Sequence, residues 1–150
     1  NLLSFLKAAT DALLYCQTFC NLAEEEGLGV CFLGTTVYQP EAIIDTLQLP
    51  KLVFPVATIT LGWPDEQPPL SDRLPLSSIL HTDVYHDYDT HAIDRAYAYK
   101  EQIEENQHFV AINHKKTLAQ VFTDCRYTRR DNEAMSEGML KALRRQGFLK

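Results

Sequence analysis

Apolar side chains recur at intervals of three and four residues at the start of the chain, namely Leu2, Leu3, Phe5, Leu6, Ala9, Ala12, Leu13, Cys16, Phe19, Cys20 and Ala23. This period predicts a mostly buried helix over residues 2–26. Gly27 follows and can adopt the left-handed conformation that closes a helix. The chain enters this helix directly at Asn1, with no cap before the apolar positions. We therefore expect further residues upstream in the natural protein.

Two later segments have the apolar character of strands. Residues 30–36 are extended in pattern, and residues 52–61 are apolar on both faces, which is typical of a strand buried on both sides. Pro55 lacks an amide donor and favours an edge position or a bulge. Between these segments, Pro40 is suited to the first turn of a short helix that ends at Leu47.

The second half of the chain has a helical pattern of mixed polarity. It follows a predicted loop over residues 62–75, which contain four prolines. Three helices are predicted after this loop: residues 92–107 capped by Thr90, residues 115–121, and residues 135–145 ended by Gly147. Helices therefore dominate over two or three strands. The predicted class is α+β, with helices packed on a small mixed sheet.

Size and charge narrow the class of protein. With 150 residues, 45% hydrophobic and 23% charged, the chain is sized for one globular domain. The net charge is −6, yet residues 126–150 hold seven Lys or Arg against three acids, or +4, which leaves −10 elsewhere. The basic end would attract an anionic ligand, whereas the acidic remainder argues against nucleic acid. No apolar stretch is both long and uncharged enough for a membrane span.

The four cysteines lie in apolar surroundings without paired zinc spacing; they are Cys16, Cys20, Cys31 and Cys125. We expect buried free thiols, which favour a reducing cytoplasm. Cys16 and Cys20 are one helical turn apart on the apolar stripe, so core packing is favoured over a redox pair.

One group of polar residues has side chains that could bind a metal: His81, Asp83, His86, Asp87, Asp89 and His91. Side chains of this kind could bind manganese, iron or zinc. The spacing fits no recognised metal motif, and solvated turn residues are the favoured interpretation. A metal-binding domain is the alternative.

Two glycine positions invite a cofactor hypothesis. Gly27-Leu28-Gly29 lacks the strand before and the helix after that a dinucleotide fingerprint requires, so a plain helix stop is favoured. Gly34 lies in an apolar extended run, where glycine often marks the close approach of another backbone or of a flat ligand. A bulge with no ligand is the other interpretation of Gly34.

Six segments resemble nitroreductase-type flavoproteins in order and spacing, closest to the NADPH-dependent flavin reductase and oxygen-insensitive nitroreductase branch. They are residues 9–14 (ATDALL), 23–29 (AEEEGLG), 32–34 (FLG), 52–56 (LVFPV), 61–66 (LGWPDE) and 73–76 (RLPL). The resemblance covers residues 9–87 well. It identifies residues 1–150 as the C-terminal part of a single nitroreductase-like domain, with the family's N-terminal elements missing.

The resemblance implies a bound FMN. Its isoalloxazine edge would meet the backbone at the family's aromatic-aliphatic-Gly-Gly segment, which here reads Phe32-Leu33-Gly34-Thr35, with Thr35 in place of the second glycine. In the family's basic loop a lysine and an arginine hold the FMN phosphate; here these positions are Ser71 and Arg73. Only Arg73 would supply a charge-assisted contact, so phosphate binding is expected to be weaker.

The family's NADPH-binding arginines have counterparts near the C-terminus. Arg129 matches best, and Arg126 matches when a gap is allowed. Both would contact the phosphate of NADPH. A solvated basic loop is the alternative interpretation, and the preference for NADH or NADPH stays open.

The resemblance further implies an FMN-dependent NAD(P)H oxidoreductase with ping-pong hydride transfer and no general acid from the protein. Nitroaromatics, quinones and flavins are the expected oxidants. The family forms an intertwined homodimer, to which residues 2–19, Tyr97 and Tyr99 would contribute here. The competing hypothesis is a non-catalytic flavoprotein-like scaffold, because Thr35, Ser71 and the missing N-terminal ligands depart from the family pattern.

Overall fold

The chain folds into six α-helices and two strands, in a computed structural model that describes all 150 residues. The elements are α1 (Leu2–Glu25), β1 (Gly29–Leu33), α2 (Pro40–Thr46), β2 (Thr58–Gly62), α3 (Thr90–Tyr97), α4 (Glu104–Ile112), α5 (Leu118–Val121) and α6 (Arg129–Arg145). Short 3₁₀ turns at Leu76–Ser78 and Lys100–Gln102 and a π-helix at Phe122–Arg126 complete them. The α+β class is confirmed. Residues 1–67 with 133–150 form one compact unit, and residues 68–132 form another.

Helix α1 is closed at both ends by local chemistry. The Asn1 Oδ1 atom accepts a hydrogen bond from the Ser4 amide at 2.9 Å, so the expectation that no cap precedes the helix is wrong. At the other end Gly27 has a φ of +82°, and the predicted glycine stop is confirmed. The helix therefore begins and ends within one residue of its predicted bounds.

The burial predicted for α1 is wrong for this chain. Only Phe5, Cys20 and Ala23 are buried. The larger apolar side chains of the helix are exposed, namely Leu2, Leu3, Leu6, Leu13, Leu14, Tyr15, Phe19 and Leu22. Apolar side chains lie on all sides of this helix, but the rest of its unit covers only one narrow face. A broad apolar surface results.

The sheet consists of β1 and β2 paired antiparallel, with Gly29 opposite Gly62 and Leu33 opposite Thr58. Two antiparallel strands thus stand where a small mixed sheet was predicted. The strand predicted over residues 52–61 begins only at Thr58, and it is not buried on both faces. Leu52 has a φ of +62°, which no strand residue adopts, and Pro55 has no amide to donate.

The core of the first unit lies between α1 and the C-terminal end of α6. Phe5 packs edge-to-face on Phe54 and on Phe148, with ring centroids 5.3 Å apart in both pairs. Leu143 of α6 completes this cluster. Helix α6 ends at Arg145, and Gly147 follows with a φ of +85°, which confirms the predicted glycine stop. Helix α6 begins at Arg129, earlier than predicted.

Ion pairs join α2 to α6. Lys141 Nζ lies 2.9 Å from Glu41 Oε2, and the Arg145 guanidinium donates to Asp45. The hydrogen bond from Arg145 holds the pKa of Asp45 below its usual value. At least two of the seven basic side chains in residues 126–150 are therefore partnered within the chain, and are less available to an external anion than their charge alone suggested.

Gln146 is a buried polar residue that fixes an irregular segment to the end of α6. Its Nε2 atom donates to the carbonyl oxygens of Pro50 at 2.7 Å and Val53 at 2.6 Å. Its own carbonyl accepts from the Leu52 amide at 2.9 Å. These bonds satisfy backbone groups of residues 50–53 that no strand partner reaches.

We expect Gln146→Leu to lower the free energy of unfolding by about 2 kcal/mol, because two carbonyl groups lose their donor beside a buried side chain. Urea denaturation followed by circular dichroism measures this change. Gln102→Leu is the control, since Gln102 is exposed, and its effect should stay within about 0.5 kcal/mol. Equal stability of the two variants would contradict the role given to Gln146.

The second unit differs from its predicted helices in two ways. Asp89, rather than Thr90, caps α3, with Oδ1 accepting from the Ala92 amide at 2.7 Å. The helix predicted over residues 92–107 is interrupted, because Ile103 is extended and α4 starts after it. Thr117 caps the short α5, whose Leu118 and Val121 are fully buried. Helical periodicity alone did not show the interruption.

The cysteines are free thiols, as predicted, but the burial predicted for all four is wrong for Cys31 and Cys125. Cys20 is buried and Cys16 half-buried, whereas Cys31 and Cys125 are exposed. Burial raises the pKa of the Cys20 thiol, and the neighbouring Cys16 and Glu24 raise it further. A protonated Cys20 is a packing residue. None of the helices combines the length and the apolar content needed to cross a bilayer.

Candidate functional site

The segment Phe32-Leu33-Gly34-Thr35 lies where β1 ends and a turn begins. Phe32 and Leu33 are the last strand residues, and all four residues are exposed. Below them, the buried Thr36 donates from Oγ1 to the Leu33 carbonyl at 3.0 Å. This bond shapes the turn and leaves the backbone of residues 33–35 on the surface.

The fold of this chain does not require a glycine at position 34. Unlike Gly27 and Gly147, Gly34 does not have a positive φ. A Cβ atom built on it would meet nothing within 4 Å. Gly34 follows Leu33, the last paired residue of β1, and lies in a turn, so it does not form a β-bulge. The backbone at Gly34 is therefore open, and a flat molecule has room to lie on it.

The loop at residues 71–73 brings its two predicted phosphate ligands together. Ser71 and Arg73 are both exposed, and Arg73 Nη1 donates to the Ser71 hydroxyl and to the Asp72 carbonyl at 3.3 Å. No carboxylate pairs with this guanidinium. A hydroxyl and an unpaired guanidinium side by side can bind a phosphate, with the arginine supplying the charge.

Asp72, between these two residues, makes contacts that sequence reasoning missed. Its carboxylate accepts from Lys100 Nζ at 2.7 Å and from Asn106 Nδ2 at 3.3 Å. The hydrogen bond from Lys100 is the main cause that lowers the pKa of Asp72, and Asn106 adds to it. Lys100 and Asn106 lie 28 and 34 positions after Asp72 along the chain. No local pattern connects them.

Arg126 and Arg129, the residues matched to NADPH binding, lie at a turn between helices. Arg126 ends the π-helix and places its guanidinium carbon 4.9 Å from the centroid of the Phe109 ring. Arg129 is the first residue of α6, and both arginines are exposed. The stacked rings of Phe122 and Tyr127, 6.4 Å apart, support this turn.

The polar group at residues 81–91 is arranged around the His81 ring. Its Nδ1 accepts from the His86 amide at 3.2 Å, and its Nε2 lies 3.2 Å from the Tyr88 hydroxyl. Tyr88 donates to the Ser78 carbonyl at 2.6 Å, and the Tyr85 ring packs on His81 with centroids 4.6 Å apart. Nowhere in the chain do three or more His, Cys, Asp or Glu side chains converge as metal ligands would.

The predicted site residues lie in two different units. Residues 32–35 belong to the first unit, and Ser71, Arg73, Arg126 and Arg129 belong to the second. All of them are exposed, and within the second unit Arg73 contacts Ser71.

Comparison with known proteins relates this chain to one protein family. The family model described as Nitroreductase family matches residues 4–63. This match lies in the N-terminal part of the chain. It confirms the resemblance to the nitroreductase family that the sequence motifs indicated.

Two curated relatives belong to the predicted branch. The oxygen-insensitive NADPH nitroreductase of Salmonella typhimurium is 33% identical over 100 residues, which are 67% of this chain and 40% of the relative. The FMN reductase [NAD(P)H] of Bacillus subtilis is 34% identical over 102 residues, which are 68% of this chain and 41% of the relative. The chain thus spans about two fifths of the length of these relatives.

Solved structures show the same fold. A crystal structure from Bacteroides fragilis is 60% identical with a TM-score of 0.94, covering 100% of this chain and 61% of that chain. Nitroreductase A from Vibrio parahaemolyticus is 25% identical with a TM-score of 0.73, covering 95% of this chain and 56% of that chain. The fold predicted from the sequence is therefore confirmed as nitroreductase-like.

Proposed function

We propose that this protein is an FMN-dependent NAD(P)H oxidoreductase that reduces nitroaromatics, quinones or flavins. The observation that carries the proposal is Gly34, which neither the backbone conformation nor the packing of this chain requires. Because Gly34 is exposed and has no side chain, a planar ring has room to stack against the backbone at the end of β1. The names of the relatives, an NADPH nitroreductase and an FMN reductase, support the same chemistry.

In this proposal the cofactor carries out the redox step, and the protein binds the cofactor. Bound FMN would supply a centre that takes a hydride from NAD(P)H and passes it to the oxidant. The backbone of residues 32–35 would hold the ring, and Ser71 with Arg73 would bind the phosphate. Neither segment offers a general acid or base, apart from Asp72, which is engaged by Lys100. The protein would therefore bind and orient.

Arg126 and Arg129 are proposed to bind the phosphate of NADPH. Both are exposed arginines, and the Phe109 ring restrains the Arg126 guanidinium. Guanidinium groups suit phosphate because they present paired N–H donors.

A second copy of the chain is the proposed partner of α1. Eight large apolar side chains of this helix are exposed, and Tyr99 is 68% exposed. Exposed apolar area of this kind marks an interaction surface, and a two-fold pairing of identical helices would cover it on both copies.

The proposal is tested on the product of the natural gene. We expect a yellow protein that binds FMN stoichiometrically, loses its flavin absorbance when NADPH is added without oxygen, and regains it with a quinone. The same preparation should sediment as a dimer. A colourless protein that also fails to bind added FMN would rule out the proposed function and favour a non-catalytic scaffold.

A further inference from the structure

The side chain in the middle of the 71–73 loop is turned away from solvent. Asp72 is half-buried, with its side chain 30% exposed, whereas Ser71 and Arg73 on either side are exposed. Its Oδ2 atom accepts from Lys100 Nζ at 2.7 Å and from Asn106 Nδ2 at 3.3 Å. The Asp72 carboxylate therefore attaches the loop to the helical part of its unit.

The attachment reaches the main chain as well. The carbonyl oxygen of Asp72 accepts from Lys100 Nζ at 3.4 Å and from Arg73 Nη1 at 3.3 Å. Lys100 thus contacts both the side chain and the backbone of Asp72. The same carbonyl also orients the Arg73 guanidinium, which in turn donates to Ser71.

Lys100 and Asn106 are themselves held in place. The Lys100 side chain is only 13% exposed and starts the 3₁₀ turn between α3 and α4. Asn106, in the first turn of α4, donates from the same Nδ2 atom to the Lys100 carbonyl at 2.8 Å. An ion pair that is partly buried and supported by further hydrogen bonds restrains geometry more than an exposed pair does.

We propose that Lys100 and Asn106 are positioning residues for the flavin phosphate: acting through Asp72, they fix the loop so that Ser71 and Arg73 are ordered before FMN binds. This inference rests on the proposed function. Arg73 is the only cation among residues 71–73, so binding of the flavin phosphate here depends strongly on how well its guanidinium is preorganised. Lys100 and Asn106 touch Asp72 and are not assigned any contact with the flavin.

The first test uses a substitution that leaves the charge unchanged. Asn106→Leu removes the amide but adds no charge, so it can weaken phosphate binding only through geometry. We expect the dissociation constant for FMN to rise about fivefold, the effect of one lost hydrogen bond, with that for riboflavin unchanged. Asn113→Leu is the control: Asn113 is also half-buried and donates to a carbonyl, that of Phe109, at 2.8 Å, but it does not touch the loop.

A second pair of variants and a second readout make the test independent of one substitution. Lys100→Met and Lys115→Met remove the same charge, and Lys115 pairs with Asp124 at 2.9 Å away from the loop. Lys100→Met should raise the FMN dissociation constant about tenfold and speed amide hydrogen exchange at residues 70–74, with smaller changes in Lys115→Met. A circular dichroism spectrum equal to that of the wild type shows that each variant folds.

The outcomes separate this inference from the proposed function. The ratio of the dissociation constants for FMN and riboflavin is compared between Asn106→Leu and Asn113→Leu. If the wild-type protein binds FMN and this ratio is the same in both variants, the positioning role is overturned and the proposed function stands. Equal weakening of both flavins would also overturn it, because the phosphate would not be the group affected. A wild-type protein that binds neither flavin would overturn both proposals.

Discussion

Replacing Gly34 by valine is expected to weaken FMN binding about a hundredfold, while the chain folds as before. A Cβ at this position meets nothing within 4 Å in the chain, so the substitution has room in the protein alone. It lacks room only when a ring lies on the backbone of residues 33–35. Forcing a branched side chain into a close contact costs about 1–3 kcal/mol, and each 1.4 kcal/mol is a factor of about ten in affinity. Fluorescence titration with FMN measures the change.

Gly62→Val is the matched control for this experiment. Gly62 also has nothing within 4 Å of a Cβ, and it pairs with Gly29 at the other end of the two-stranded sheet from Leu33. It should bind FMN as the wild type does. If Gly34→Val bound FMN normally, the absence of a side chain at residue 34 would have no connection with a ligand, and the proposed flavin position would be wrong.

The second large effect is expected for Arg73→Gln. This substitution removes the cation assigned to the flavin phosphate and should raise the FMN dissociation constant by a factor of about 10 to 100, because hydrogen bonds to charged groups contribute about 1.5–3 kcal/mol. Riboflavin has no phosphate, so its dissociation constant should not change. The ratio of the two constants isolates the contribution of the phosphate.

Two further variants test whether the effect of Arg73→Gln comes from the flavin phosphate. Arg95→Gln removes the same charge from an exposed position on α3 and should leave both constants unchanged. Ser71→Lys places a second cation beside Arg73 and should tighten FMN binding about threefold or more, again without affecting riboflavin. If Arg73→Gln weakened both flavins alike, Arg73 would act on the fold and not on the phosphate.

The sequence predicted those elements whose causes are local. Gly27 and Gly147 end helices because their backbone takes a positive φ, and Pro40 starts α2 because its ring favours the first turn. These signals act within a few residues of where they stand, so a single sequence contains them in full.

Features that depend on distant residues were not predicted. The strand expected from residue 52 begins at Thr58, because Gln146, almost a hundred positions later, binds the backbone of residues 50–53 in an irregular form. Likewise, the apolar period of α1 correctly predicted a helix but not its exposure, since burial depends on what packs against it. Period reports which face is apolar, and tertiary contacts decide which face is covered.

The candidate site shows the same division. The resemblance supplied residues 32–35, Ser71 and Arg73, and the structure shows Ser71 and Arg73 in contact. It did not supply Lys100 or Asn106, because their relation to the loop exists only in the folded unit. The roles of these residues toward a flavin remain predictions that the experiments above address.

The exposed apolar side of α1 reverses the usual meaning of a solubility screen. On most helices a charged residue at an exposed position is a neutral surface change. At Leu14 or Tyr15 it would disrupt the pairing of α1 with a second copy, if α1 pairs as proposed. If α1 pairs in this way, variants chosen because they improve the yield or dispersity of the isolated chain would select against that pairing. Such variants should be judged by particle mass before they enter any crystallisation or kinetic study.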